Sequence, residues 1–371
     1  MAAPSASLER LPLELKQGIM KSLSDVRSLL SFIHTCKSLR NAFLGSPGIV
    51  SHAVTENEIG QQCLPLALAR FKADEAVPTT LAAAMSNDSE NVEKNLRDFC
   101  NNFVENQCRV MPIMPTWFSL QLALVLSKFH AAVERLTSLC IDEAEIILTA
   151  VERRRITKCL YIDEISKLLM RMSAALASYS DSVSHVFWRC FAPWEREQVI
   201  VAHGYLLRSA CRFFKPGVGY GFLCGYVTEL LLNHSLTIFD RLSGRPIGPF
   251  QQPRPRGCGP TDVEPDLWYS TLKKPDGTSR RFIDIPSIVA KYHDEDSGPA
   301  DVWFITHMFR SNGYSGARAD YTTWFNSIPE GWWNIYMFLS RDAWDDECPG
   351  SLPTSEEMAE RSGANTPGEV I

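Results

Sequence analysis

Asp342, Asp345, Asp346 and Glu347 crowd behind Trp344, and carboxylates this close can ligate a metal or share a proton. They stand before a polar tail, however, and read as a solvated acidic run. Gly217-Val218-Gly219-Tyr220-Gly221 invites comparison with a phosphate-cradling loop. Its spacing fits neither G-x-G-x-x-G nor the Walker pattern, and Phe213-Phe214-Lys215-Pro216 before it is no clear strand. A turn between helices is the better reading, because glycine reaches positive φ at little steric cost. No serine sits in G-x-S-x-G and no H-E-x-x-H occurs. The histidines are dispersed, and the eleven cysteines form neither a C-x-x-C pair nor a set at metal spacing with histidine. With no nucleophile–base pair and no ligand set, the chain is expected to be no enzyme and to need no cofactor or metal.

The remaining chemistry is recognition. Six of the nine tryptophans lie in residues 268–344. Trp332 and Trp333 are adjacent, so on a strand they point to opposite faces and on a helix they diverge by about 100°. One of the two can therefore sit in a core while the other faces a bound target, and aromatic side chains dominate binding hot spots. Arg245-Pro246, Pro249 and Pro253-Arg254-Pro255-Arg256 could form an extended polyproline segment, but composition favours a plain linker.

The elements that must position these residues are helical for most of the chain. Leu11, Leu15, Ile19 and Leu23 recur every four residues, with Lys16, Gln17 and Lys21 between them, which makes one apolar stripe on a helix. Pro12 suits its first turn. Ser24 and Asp25 offer a cap for a second helix with the face Val26, Leu29, Leu30 and Ile33. A third stretch, Thr35 to Phe43, presents Cys36, Leu39 and Phe43. Gly45-Ser46-Pro47-Gly48 is a turn cluster, and a further helix spans Ile49 to Ile59. Ser86 to Glu93 reads as a polar loop, followed by a helix from Asn91 to Asn106. The Leu- and Ala-rich block beyond Trp117 predicts helices over Leu120–Leu139, Asp142–Arg154 and Ile162–Tyr179.

Residues 8–55 therefore form one small helical motif and residues 56–243 a larger helical body. Residues 244–265 are a Pro/Gly-rich loop or linker, residues 266–348 an aromatic-rich part of mixed structure, and residues 349–371 a disordered tail. The expected fold is mainly α. The net charge of −6 argues against a phosphate-backbone partner, since nucleic-acid binders carry a basic excess or stripe. No stretch reaches the roughly 20 apolar residues that span a bilayer, and Met1 onward shows no apolar leader. An intracellular protein, in cytoplasm or nucleus, with unbonded thiols is expected.

Leu8-x-x-Leu11-Pro12-x-Glu14-Leu15-x-x-x-Ile19-x-x-x-Leu23, followed by Ser28-Leu29-Leu30 and Thr35-Cys36-Lys37-Ser38-Leu39, resembles the F-box. Ile49 to Val54, Glu58-Ile59-Gly60 and Leu64 to Ala69 look like the segment directly after that motif in a group of fungal F-box-like proteins. Leu39 stands where many F-boxes carry Trp. The resemblance implies a three-helix motif that docks on the Skp-type adaptor of an SCF ubiquitin ligase, and through it on a cullin. Its adaptor-binding residues would be Leu11, Pro12, Leu15, Ile19, Leu23, Leu30 and Ile33. The body would collect an unknown target protein for ubiquitin-dependent degradation. A motif this small cannot bury its own apolar faces, so a partner's helices complete its core. Each fully buried Leu or Ile contributes roughly 1.5–3 kcal/mol. A ubiquitin-independent scaffold is the alternative, and an enzyme with an unrecognised site in the helical body the third.

Overall fold

The computed structural model describes residues 8–85, 89–105, 117–144 and 148–174, with short stretches and single positions between 186 and 236. Among these the chain is mainly helical, and no strand occurs. They fall into two compact units. The first draws on Met1–Glu143, Thr157–Cys190 and Ala202–Gly257, the second on Ala144–Ile156, Phe191–Val201 and Cys258–Ile371. The linker, the aromatic-rich part with Trp332 and Trp333, the tail and Gly217–Gly221 lie outside the described residues.

The first unit opens with a 3-10 turn, Leu8–Arg10, and four short helices: α1 (Leu13–Lys21), α2 (Val26–Thr35), α3 (Lys37–Leu44) and α4 (Pro47–Ile59). Helix α1 packs on α3 and α4, and α2 packs on the same two. Their common core is Met20, Val26, Leu29, Ile33, Leu39, Ala42, Phe43, Val50, Val54 and Ile59, all buried. Pro12 precedes the first helical residue of α1. Asp25 caps α2, accepting the Ser28 N–H at 2.8 Å and the Ser28 hydroxyl at 2.7 Å. Both caps are ordinary sequence signals put to use. Helix α4 runs unbroken through residue 55 and stops at Gly60, whose φ of 85° is a conformation that L side chains rarely adopt. The small motif therefore closes at Gly60, and the expected boundary at residue 55 falls inside a helix.

Helix α5 (Leu64–Met85) pairs with α6 (Ser89–Phe99), and a π-helical segment, Cys100–Glu105, lies against both. The loop expected over Ser86 to Glu93 gives way to helix at Ser89, where Glu93 and Arg97 face one another one turn apart (Arg97 Nε to Glu93 Oε1, 3.1 Å). Helix α7 (Leu120–Ala144) begins at Ser119, whose hydroxyl accepts the Leu122 N–H at 3.2 Å.

Helix α8 spans Ala150–Ala174. Sequence periodicity predicts separate helices over Asp142–Arg154 and Ile162–Tyr179, and the structure moves the break. The reason is a capping box that periodicity alone overlooks. Glu152 Oε2 accepts the Thr149 N–H at 2.7 Å, and Thr149 Oγ1 accepts the Glu152 N–H at 3.3 Å. These residues belong to the second unit, as do Ala192, whose N–H donates to Glu195 Oε2 at 2.8 Å, and Arg196, whose guanidinium donates to the Phe191 carbonyl. No described helix is long and apolar enough to cross a membrane. Cys63, Cys100, Cys140 and Cys159 are buried thiols.

The backbone N–H of Ser28 holds the Asp25 carboxyl below its ordinary value of 3.8. A lowered carboxyl pKa adds stability above that ordinary value and loses it as pH falls through the folded value. Asp25→Ala should therefore cost about 0.5–2 kcal/mol at neutral pH. The gap between the two proteins in urea melts should close as the pH is taken below 3.8.

Candidate functional site

Two regions of the first unit concentrate functional chemistry. The first is the outer face of α1. A helix of this length has one side to give to its own core, and in α1 that side is largely polar. Lys16 and Met20 are its buried residues. The Lys16 ammonium donates to the Glu9 carbonyl at 2.7 Å and to Ser38 Oγ at 2.8 Å. Gln17 Nε2 donates to the Ala42 carbonyl at 2.9 Å. Asn57, on α4, donates to the carbonyl of Lys21, the last residue of α1, at 2.7 Å and to that of Leu23 just beyond it at 2.9 Å.

With Lys16 turned inward, part of the apolar stripe is left outward. Leu15 is 55 % exposed, and Leu8 and Leu13 are 47 % exposed. Pro12 is exposed as well, while Leu11, Ile19 and Leu23 are half-buried. Of the two α2 residues expected at the same surface, Leu30 is half-buried and Ile33 is only 6 % exposed. Ile33 is spent on the contact of α2 with its neighbours, so it can shape the outer face but has little area left to offer a partner. Leu39 is also in the core. Trp332 and Trp333 are outside the described residues.

The second region is a buried polar network that the sequence did not announce. Glu58, near the end of α4, accepts the Val26 N–H through Oε2 at 3.0 Å and the Ser127 hydroxyl through Oε1 at 2.6 Å. It thus ties the start of α2 to α7. Beside it, His130 Nδ1 lies 3.0 Å from the Tyr161 hydroxyl, and Thr157 donates to Glu134 at 3.1 Å. Glu164 accepts the Leu236 N–H at 2.9 Å and pairs with Arg70 at 3.5 Å. The Arg70 guanidinium sits 4.7 Å from the Phe129 ring centre and also holds Asp74 at 2.6 Å.

Burial sets the protonation here. It pushes the Tyr161 hydroxyl well above its ordinary range. It lowers His130 against the opposing pull of Glu134 and Glu58, and it lowers His52, whose ring meets Phe118 edge-on at 5.0 Å, against Glu56. The network's bonds run from helix to helix, and what they supply is fixed geometry. Among the described residues no three His, Cys, Asp or Glu side chains converge as metal ligands.

A shallow groove of about 290 Å³ opens between α5 and the start of α7, lined by Phe71, Lys72, Trp117, Leu122 and Val125 among others. Trp117 stacks on Phe71 at 6.3 Å, and the Lys72 ammonium lies 4.2 Å from the Trp117 ring centre while holding Glu75 at 2.6 Å. Sequence reasoning placed Trp117 only at the head of a helical block, because nothing local links it to Phe71 and Lys72. Comparison with known proteins finds no match to a family model, to a curated protein or to a solved structure.

Glu58→Ala would strand the Val26 N–H and the Ser127 hydroxyl, at a cost of about 1–3 kcal/mol for each group left buried without a partner. Calorimetry should show the destabilisation. His130 and His52 add a pH signature. A histidine whose folded pKa is depressed takes up its proton more readily in the unfolded chain, so stability falls as pH drops below 6.5. That decline should be shallower in His130→Gln, measured by urea unfolding between about pH 7 and pH 5. An unchanged slope would place the proton uptake elsewhere.

Proposed function

We propose that the first helices form an F-box-type docking motif and that the chain is a substrate receptor of an SCF-type ubiquitin ligase. The observation that carries this reading is the outward apolar face of α1. Leu8, Leu11, Pro12, Leu15, Ile19 and Leu23 form the sequence pattern that resembles the motif; Leu8, Pro12 and Leu15 are exposed, and Leu11, Ile19 and Leu23 are half-buried. A partner that covers it gains the burial the free chain forgoes, roughly 1.5–3 kcal/mol for each fully covered Leu or Ile, set against the cost of association. The adaptor supplies helices for that face, in the manner of helix-in-groove recognition. The cullin is reached through the adaptor. The body then collects a target, and on this reading its task is positioning. The sequence-based candidates for target contact remain Trp332 and Trp333.

Because Leu15 is more than half exposed, Leu15→Asp should shift folding stability by no more than about 0.5 kcal/mol. At a covered seam, however, the same carboxylate would be desolvated without a partner, costing several kcal/mol of binding. The expected result is an unchanged thermal melt and loss of a purified Skp-type adaptor from affinity capture, with cullin lost alongside it. Wild-type capture by a folded Leu15→Asp protein would overturn the assignment. Capture of adaptor without cullin by the wild-type chain would favour the ubiquitin-independent scaffold.

A further inference from the structure

The turn Leu8–Arg10 opens the apolar pattern, yet none of its residues is buried. It has no apolar anchor of its own. Its internal bond, Leu11 N–H to the Leu8 carbonyl at 3.3 Å, is long. The Glu9 carbonyl ties it to the helices. That oxygen accepts the Lys16 ammonium at 2.7 Å and the Ser38 hydroxyl, more weakly, at 3.4 Å. Lys16 in turn donates to Ser38 at 2.8 Å, and its residue is only 8 % exposed. One buried ammonium therefore joins the turn, α1 and α3 at a single point.

A buried lysine is a costly way to hold a helix, because its charge must be taken out of water. An apolar residue in its place would pack at least as well on α3, but it could not hold a main-chain carbonyl. The geometry points to Lys16 as the positioning residue of the docking face: it fixes the Leu8–Leu11 segment in the conformation in which Leu8 and Leu11 extend the α1 stripe. This inference rests on the docking role proposed above. Lys16 touches no partner; it acts by making the segment ordered before binding, so that the ordering entropy is already spent when the partner arrives.

The test uses the full chain and a purified Skp-type adaptor, with affinity by titration calorimetry and order by amide exchange. Lys16→Met should weaken adaptor binding by roughly tenfold or more, the scale of freeing a few backbone residues. The amide of Leu11 should lose protection, while amides in the middle of α2 and α4 keep theirs. Lys16→Arg, which can still reach both acceptors, should restore most of the affinity. Ser38→Ala should weaken binding several-fold, and its effect should not add to that of Lys16→Met, since both break the same clip.

Wild-type affinity in a folded Lys16→Met protein, with Leu15→Asp still abolishing binding, would overturn the clip and leave the docking role standing. Wild-type affinity in Leu15→Asp would overturn the docking role and the clip with it. Should Lys16→Met fail to fold, Ser38→Ala and Lys16→Arg decide: full affinity and full Leu11 protection in Ser38→Ala, or no rescue by Arg, would overturn the clip.

Discussion

Helix α1 is held to its neighbours by hydrogen bonds to main-chain carbonyls as well as by the buried Met20. Lys16, Gln17 and, from α4, Asn57 each donate to a carbonyl that lies near a helix end or in a turn. Carbonyls at helix ends lack partners inside their own helix, and Gln17 and Asn57 supply donors to such acceptors at Ala42 and Lys21. Most of the unusual character of the N-terminal region stems from this. Lys16 is turned inward beside Met20, Leu13 and Leu15 are left at the surface, and the apolar core of the four short helices is furnished chiefly by α2, α3 and α4.

Glu58 plays the corresponding part for the rest of the first unit. Its two carboxylate oxygens serve different helices, one the first N–H of α2 and the other a serine of α7. An N–H at a helix start is among the few main-chain donors with no partner in its own helix, and it favours a negative partner. The same carboxylate sits in the field of His130 and Tyr161. The short helices and the long ones thus share a polar seam, and the region ahead of Gly60 is not an appendage on a separate core.

How much of this could be read from residue order depends on the range of the interaction concerned. The Asp25 cap and the apolar faces of α2 and α3 are encoded by neighbours within a turn or two, whereas of the four-residue stripe only Leu15 and Ile19 fall inside α1, Leu11 and Leu23 standing before and after it. Helix α8 shows the limit of periodicity. Apolar spacing runs on through Asp142–Arg154, while a Thr–Glu capping box decides where the helix starts. Ile33 shows a second limit. Spacing says that it shares a face with Leu29 and Leu30, but not that this face is already covered by the chain's own helices. The inward turn of Lys16 is the least legible of all, since a lysine between leucines reads as solvent-facing until its two acceptors, Glu9 and Ser38, are brought to it by tertiary structure.

The polar locks on α1 also bear on how the chain behaves when it is alone. A loosely seated amphipathic helix can roll to hide its apolar side. This one cannot do so without breaking the bonds of Lys16 and Gln17 and those that Asn57 makes at its far end. Its leucines are therefore shown to solvent for as long as the chain is folded. Apolar surface that joins into a large patch promotes association. On the docking role proposed above, a protein that covered this face would also stabilise the chain by mass action, and the lifetime of the chain would follow the supply of that protein.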